Sequence, residues 1–401
     1  YQLLHVLYII HVYILYHSLC FICMLQFPYF LQKMPEPNLY TPAIDPWNVN
    51  GTTPPTDDRA SYWEYRLDIV IWKYFAPILL FCGTIFNFTT IAVLTKTKFG
   101  KQSTRILLIS LSVCDTAVLY TGLLRHWIRS FGTDVRTLTN ASCPVHTFLV
   151  YFSLDFSTWI LTLVTLERFV AVCYPFKSPT ICTAKWTLVS LFCVAVFLFV
   201  LNGHILYYYR IKDGKCTPAA VKEYGEFWSG PWYWMDLFAV AGFPFTVILT
   251  CNTLIIGKVS CAKIHKRRSQ VHPIGVNSVK NPQAAKVTSM TIMLLTINIS
   301  FVVLVFPSCI FFIVTPQKAA DTHQEVQIDL AFSMTNFLMY VNNTINFLLY
   351  CVSAPKFRKE LTGLFRKQRR PDLDNSVTFD PRQGHSRTQV SVINLPTVDI
   401  H

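Results

Sequence analysis

Charge is what this 401-residue sequence has least of. Asp, Glu, Lys and Arg make up 14% of it, where soluble domains carry about 25%, and the shortfall excludes an ordinary soluble enzyme. Residues 1–32 contain no Lys, Arg, Asp or Glu. The 13 Cys lack the paired spacing of a metal centre; most lie in apolar runs, where a thiol packs as a small hydrophobe, so no zinc site is indicated. Glycine periodicity and polar low-complexity tracts are missing too, which rules out collagen-like and disordered chains. What is present is apolar: 52% hydrophobic residues, with 31 Phe, 19 Tyr and 9 Trp, and a mean hydropathy of +0.37. Two or three soluble cores could not bury that much, so the solvent is lipid. The net charge of +13 falls in short runs between long apolar segments, and no nucleic-acid partner is expected.

A bilayer core of about 30 Å takes roughly 20 apolar residues of helix. Seven such runs follow residue 65, at about 69–95, 104–127, 145–174, 184–207, 233–257, 287–314 and 328–352. Backbone groups in lipid need internal partners, so each run is read as a helix. The expected fold is an all-α membrane protein, a seven-transmembrane helix bundle over 69–352, with a short amphipathic membrane-surface helix at 353–366 and a disordered tail at 367–401. Lys96, Lys98, Lys101 and Arg105 after the first span, and Lys258, Lys263, Lys266, Arg267, Arg268, Lys280 and Lys286 after the fifth, have no acids among them; these loops are placed on the cytoplasmic side. The segment 33–68 is acidic and is placed outside, which leaves the C-terminus in the cytoplasm. Sequons at Asn50 and Asn140 then fall on the glycosylated side. Arg366, Lys367, Arg369 and Arg370 read either as a headgroup-facing cluster or as a solvated face. Residues 1–32 are of doubtful origin: they are translated non-coding or wrongly assigned sequence ahead of a start at Met34, or a signal-like segment without the basic n-region, or an eighth apolar helix.

An ionisable group in mid-bilayer costs at least about 2.5 kcal/mol, so each is a functional candidate. Asp115 lies ten residues beyond Arg105, about 15 Å into its helix. Asn87, Ser157, Asn342, Asn343 and Asn346 fall at comparable depth on other spans. A carboxylate among amides and hydroxyls makes either a helix-packing network or a cation site, with sodium the ion expected. On the third span Cys143 and Glu167-Arg168 are separated by the full membrane, Arg168 lying 25 residues after Cys143, about 37 Å of helix. Cys216, in the loop 208–232 on the oxidising face, is the natural disulfide partner of Cys143, because most other cysteines sit in spans or on the opposite side. Arg168 is left at the cytoplasmic end beside Glu167, placed to bind a cytosolic partner. Pro244 and Pro307 interrupt the fifth and sixth spans and provide points of bending.

Together these marks resemble the rhodopsin-like (class A) G-protein-coupled receptors, over roughly 69–366. They are Gly83 and Asn87 in GTIFNF, Leu111 and Asp115 in LSVCD, Cys143, then Glu167, Arg168 and Phe169 as ERF, Trp186, Pro244, Phe301 and Pro307, Asn346 to Tyr350 as NFLLY, and Lys356-Phe357-Arg358. The resemblance implies a receptor, not an enzyme, whose switch residues are Glu167, Arg168, Phe169, Phe301, Pro307, Asn346 and Tyr350. Phe347 stands where the family has proline, Val305 where it has tryptophan and Asn252 where it has tyrosine. The run INFxLYC is similar to invertebrate neuropeptide receptors of the FMRFamide-like group.

Absences narrow the ligand. Val150 occupies the position of the aminergic aspartate, and no lysine lies within 328–352 to hold retinal. Arg125, His126, Trp127, Asp155, Asp236 and Tyr340 fall in the outer half and suit a peptide: Arg125 for a carboxylate or amide carbonyl, Asp155 or Asp236 for an arginine side chain. An internal Arg125–Asp pair is the alternative for Arg125. Trp228, Trp232, Tyr233 and Trp234 contact the ligand or anchor at the interface. The expected function is a plasma-membrane receptor for an extracellular ligand, a neuropeptide, acting on a heterotrimeric G protein, with no cofactor beyond a sodium ion. Tail hydroxyls such as Ser376, Thr378, Ser386, Thr388 and Ser391 are candidate kinase targets that recruit arrestin. A lipid or small-molecule receptor of the same fold is the alternative; an ion-coupled transporter would need repeat symmetry or broken midplane helices, and the sequence shows neither.

Overall fold

The computed structural model describes residues 57–97, 99–219, 222–227, 231–270, 282–315 and 321–368. The expectations for residues 1–32, Asn50, Trp228 and the tail beyond 368 lie outside them. Seven long helices form one bundle: α1 (Trp63–Lys96), α2 (Gln102–Arg129), α3 (Ser142–Cys173), α4 (Ala184–Tyr208), α5 (Tyr233–Leu237, a wide turn at Phe238–Gly242, then Phe243–Gln270), α6 (Pro282–Val314) and α7 (Thr322–Ser353). A short helix, α8 (Pro355–Gln368), follows. Neighbouring helices pack in the cyclic order 1-2-4-3-5-6-7, and α7 closes on α1. α3 runs through the middle, touching α2, α4, α5 and α6.

Six of these helices are long and apolar enough to cross a membrane. The seventh misses because α7 carries Asp329, Ser333, Asn336, Asn342, Asn343 and Asn346, all buried. Its polar side chains face other helices, not lipid, so a polar sequence still makes a span. Outward positions are apolar, as at Phe81, Phe88, Phe192, Val200 and Val303, all exposed.

Proline sets two local departures from α geometry. Pro77 and Pro244 lack an N–H and crowd the carbonyl four residues back, and wide π-type turns at Ile71–Phe75 and Phe238–Gly242 contain those carbonyls. Pro307 instead lies inside an unbroken α6. A third wide turn, Leu119–Leu123, holds Gly122, where any Cβ would meet the Tyr340 ring. Gly83 marks another close approach: a Cβ there would lie 2.5 Å from Leu119 Cδ1 and 2.8 Å from Thr344 Oγ1.

α1 begins at Trp63, ahead of the apolar run at about 69, and residues 57–61 are already helical, so the last part of the segment 33–68 is helix. The reason lies on α7. Glu64 accepts from or pairs with His323 at 3.1 Å, Arg59 binds Asp329 at 2.6 Å and Glu325 at 3.2 Å. Trp72 Nε1 donates to Ser333 Oγ at 2.7 Å, and that hydroxyl donates to Asp68. Charges at the end of the acidic segment 33–68 are therefore one face of a helix–helix contact. α8 starts at Pro355 and buries Phe357 against Phe99, Phe347 and Tyr350, close to the expected 353–366.

Candidate functional site

Asp115, 1% exposed, is the centre of a buried network between α2, α3 and α7. Ser157 Oγ donates to Asp115 Oδ1 at 2.6 Å, and Asn346 Nδ2 donates to Oδ2 at 2.8 Å. Ser157 lies 3.5 Å from Asn343 Oδ1, and Asn87 Nδ2 donates to the Asn343 carbonyl at 3.1 Å. Five of the six residues expected to cluster are thus joined; Asn342 is buried but faces a neighbouring cavity instead. The amide oxygen of Asn346 has no partner among the described residues. Carboxylate, hydroxyl and amide oxygens form an oxygen-only donor set, which fits a hard cation such as sodium. Among the described residues no group of three His, Cys, Asp or Glu could hold a metal.

At one end of α3, Glu167 Oε1 accepts from Ser103 Oγ at 2.7 Å and from Thr104 Oγ1 at 2.8 Å. Arg168, 7% exposed, donates to Thr104 Oγ1 and stands 3.9 Å from Glu167 Oε2. A cation this buried is held only by such local partners. One turn back, Thr165 Oγ1 donates to Asn298 Oδ1 at 3.2 Å, and Asn298 Nδ2 donates to Asn252 Oδ1 at 2.9 Å. This chain ties α3 to α6 and α5, and Asn252, which stands where the family has tyrosine, is part of it. Tyr350 is 1% exposed, and its hydroxyl has no partner among the described residues.

At the other end, Cys143 and Cys216 are joined in a disulfide with Cα atoms 5.5 Å apart. Cys216 lies in a two-stranded hairpin, β1 (Tyr209–Lys212) and β2 (Lys215–Pro218), paired Ile211 to Cys216. Asp213 (φ 51°) and Gly214 (φ 71°) are both left-handed, the backbone a tight hairpin turn demands and Asp-Gly supplies. Below the hairpin Trp232 packs edge-on to Tyr151 and His204 at 5.1 and 5.3 Å. Tyr224 stacks on Tyr208 at 4.0 Å and hydrogen-bonds His204 at 2.9 Å; burial, helped by Tyr208, pushes its hydroxyl above the ordinary tyrosine range.

Between these ends lies a cavity of about 1040 Å³, open solvent at its mouth included. Tyr151, Asp155, Trp232 and Asp236 line it, as do Phe301 and Val305 of α6 and Asn336 and Asn342 of α7, and it reaches Ser157 and Asn346 of the network. Asn202 Nδ2 donates to Asp155 Oδ2 at 2.8 Å.

The model described as "7 transmembrane receptor (rhodopsin family)" matches residues 86–350, well over half of the chain. The chain belongs to that family. Several relatives agree over most of its length. The thyrotropin-releasing hormone receptor of Homo sapiens is 26% identical over 320 residues, 73% of this chain and 78% of its own. The FMRFamide receptor of Drosophila melanogaster is 23% identical over 384 residues, 87% of this chain and 62% of its own. Galanin receptor 2a of Danio rerio is 25% identical over 345 residues, 81% and 85% of the two chains. A rhodopsin-family receptor is a multi-pass membrane protein and not an enzyme, as the sequence led us to expect.

In this receptor, four of the six candidate ligand residues lie away from the cavity lining. Arg125, 2% exposed, bonds Asp134 through Nε to Oδ1 at 3.3 Å and Nη2 to Oδ2 at 3.2 Å, the internal pair held as the alternative. Burial pushes the Asp134 carboxyl up, but Arg125 and Arg136 outweigh it and hold the group well below the usual carboxylate range. His126 stacks on Trp72 at 4.2 Å, Trp127 packs on Phe131 and Tyr340 is fully buried against Trp72. Asp155 and Asp236 do line the cavity. Phe347, in place of proline, stacks on Phe86 at 5.3 Å, an aromatic contact between α7 and α1 within an unbroken helix. Sequence reasoning missed Asn202, Asp134 and Tyr151; only the Asp213-Gly214 turn left a readable mark.

Proposed function

We propose that this receptor binds an extracellular peptide in the cavity below the hairpin and promotes nucleotide exchange on a heterotrimeric G protein at the Arg168 end of α3, in the plasma membrane. The observation that carries the reading is the geometry of α3. Asp155 in the cavity, Ser157 in the polar network and Arg168 in its local lock share one uninterrupted helix, the first and last about 20 Å apart by rise per residue. The similar receptors for thyrotropin-releasing hormone, FMRFamide and galanin support a peptide as ligand. The disulfide, of a kind that forms on an oxidising face, and the acid-free basic loops, of a kind found on the cytoplasmic one, support an N-terminus outside and a C-terminus in the cytoplasm. Asn140, exposed in the turn before α3, would then carry a glycan, as would Asn50. A sodium ion would be held by Asp115 with Ser157, Asn343 and Asn346, supplying positive charge to the buried carboxylate. Arrestin would engage the phosphorylated tail.

Activation on this reading needs Arg168 freed from Glu167 and Thr104 and the Thr165–Asn298–Asn252 chain broken as α6 moves outward. A ligand drives that change only by its differential affinity for the open state. The test is peptide-dependent GTPγS loading in membranes containing the receptor, beside Arg168→Ala. Loading that the substitution leaves untouched contradicts the assignment.

A further inference from the structure

The hydrogen-bond acceptors that line the cavity include two carboxylates, Asp155 and Asp236. Asp155, on α3, is 1% exposed and is satisfied at one oxygen only by Asn202. Asp236, on α5, faces the same cavity, and its Oδ1 is shut off from solvent with no partner among the described residues. On α7, which also lines the space, Asn336, 1% exposed, has its amide nitrogen committed to the Phe332 carbonyl at 2.8 Å while its Oδ1 has no partner among the described residues. Asn342 Oδ1, six residues further along, is likewise buried and has no partner among the described residues. Three of the lining hydroxyls are spent elsewhere: Ser308 donates to the Thr335 carbonyl, Thr158 to Leu154 and Ser157 to Asp115. Among the described lining residues there is no Lys, Arg or His.

Each buried acceptor left unpaired costs about 1–3 kcal/mol, and two carboxylates around one low-dielectric space repel unless one takes up a proton or a cation lies between them. A single ammonium offers three donors on a point; a guanidinium offers five in a plane, matched to two carboxylates and a carbonyl-type oxygen at once. We propose that Asp155 and Asp236, with the amide oxygen of Asn336, form a seat for a guanidinium group, so that the ligand is one bearing an arginine side chain inserted into the cavity. This rests on the receptor reading above and specifies the chemistry its site selects. The flat walls of Tyr151, Trp232 and Phe312 suit the faces of that plane.

The test uses the purified full-length receptor and two probes that differ only in charge and donor count, Nα-acetyl-arginine amide and Nα-acetyl-citrulline amide. Thermal unfolding with each probe at millimolar concentration should show stabilisation by the arginine compound and none by its neutral twin. In Asp236→Asn, and separately in Asp155→Asn, the arginine probe should bind about tenfold more weakly. Equal shifts with both probes, or none with either, overturn the proposal without touching G-protein coupling. A pooled peptide library gives the second arm: GTPγS loading as strong from citrulline pools as from arginine pools overturns the seat and leaves the receptor reading standing. Stabilisation confined to the arginine probe supports the seat even where loading is absent, and then it is the coupling that fails.

Discussion

Replacing Asp134 by Asn should destabilise the outer end of the bundle more than any other single change of one charge. Its carboxylate, 12% exposed, is shared by Arg125 and Arg136, each 2–3% exposed at the side chain. Arg136 reaches it through Nε at 3.2 Å and Nη2 at 3.0 Å, and the Arg136 N–H donates to Oδ1 at 3.0 Å. Breaking a buried ion pair by deleting one partner costs about 3–5 kcal/mol, because the other charge stays buried; here two guanidiniums lose their common carboxylate, partly relieved by solvent at its exposed edge. We expect about 3 kcal/mol and a melting temperature lowered by roughly 5–10 °C, read by thermal unfolding of the purified receptor. A double-mutant cycle with Arg136→Gln should give a coupling of about 1.5 kcal/mol or more. The pH dependence has a fixed sign. The folded carboxyl titrates below its unfolded value, so its stabilisation is complete above the ordinary aspartate range and is lost only as pH falls through the folded pKa. Lowering pH from 7 to about 5 should therefore leave this contribution intact, while the Asn variant stays weaker across that window. A variant within about 0.5 kcal/mol of the parent, with no coupling to Arg136, would refute the reasoning.

Cys216→Ser opens a cross-link between positions 73 residues apart, worth about 4 kcal/mol by loop entropy, and should abolish surface expression or lower the melting temperature sharply, with Cys143→Ser equivalent. Gly122→Ala puts a methyl on the Tyr340 ring and should cost about 1–3 kcal/mol by overpacking; Tyr340→Phe should recover part of it in thermal unfolding. Asp115→Asn should remove any effect of sodium on peptide affinity, measured by competition binding in sodium against choline salts; an unchanged sodium response would place the ion elsewhere.

The spans were legible because lipid imposes one pattern, about 20 apolar residues between charged ends. Even α7 could be read, since its asparagines interrupt an otherwise apolar run. The pairing of Cys143 with Cys216 followed from compartment and depth. What could not be read was convergence across helices. Arg125 looked like a ligand contact because its partner, Asp134, sits beyond a turn whose path nothing in the local sequence fixes. Asp155 and Asp236 were each conspicuous as acids in apolar runs, yet their facing one cavity depends on the rotation of α3 and α5. Glu64 and Asp68 counted only toward an acidic outer segment, because the residues that meet them, His323 and Ser333, are on α7. The hairpin at 209–218 had a local mark in Asp213-Gly214, and treating the loop as one segment passed over it.

The central claim is that occupancy of the cavity and engagement at Arg168 are coupled along α3. Coupled sites change each other's affinity by the same factor, so the decisive measurement is the affinity of the activating peptide with and without nucleotide-free G protein, in the parent and in Arg168→Ala. Peptide binding should be tighter, by about tenfold or more, in the presence of the G protein, with a ratio near one in the variant. Equal peptide affinity with and without G protein in the parent receptor would contradict that coupling.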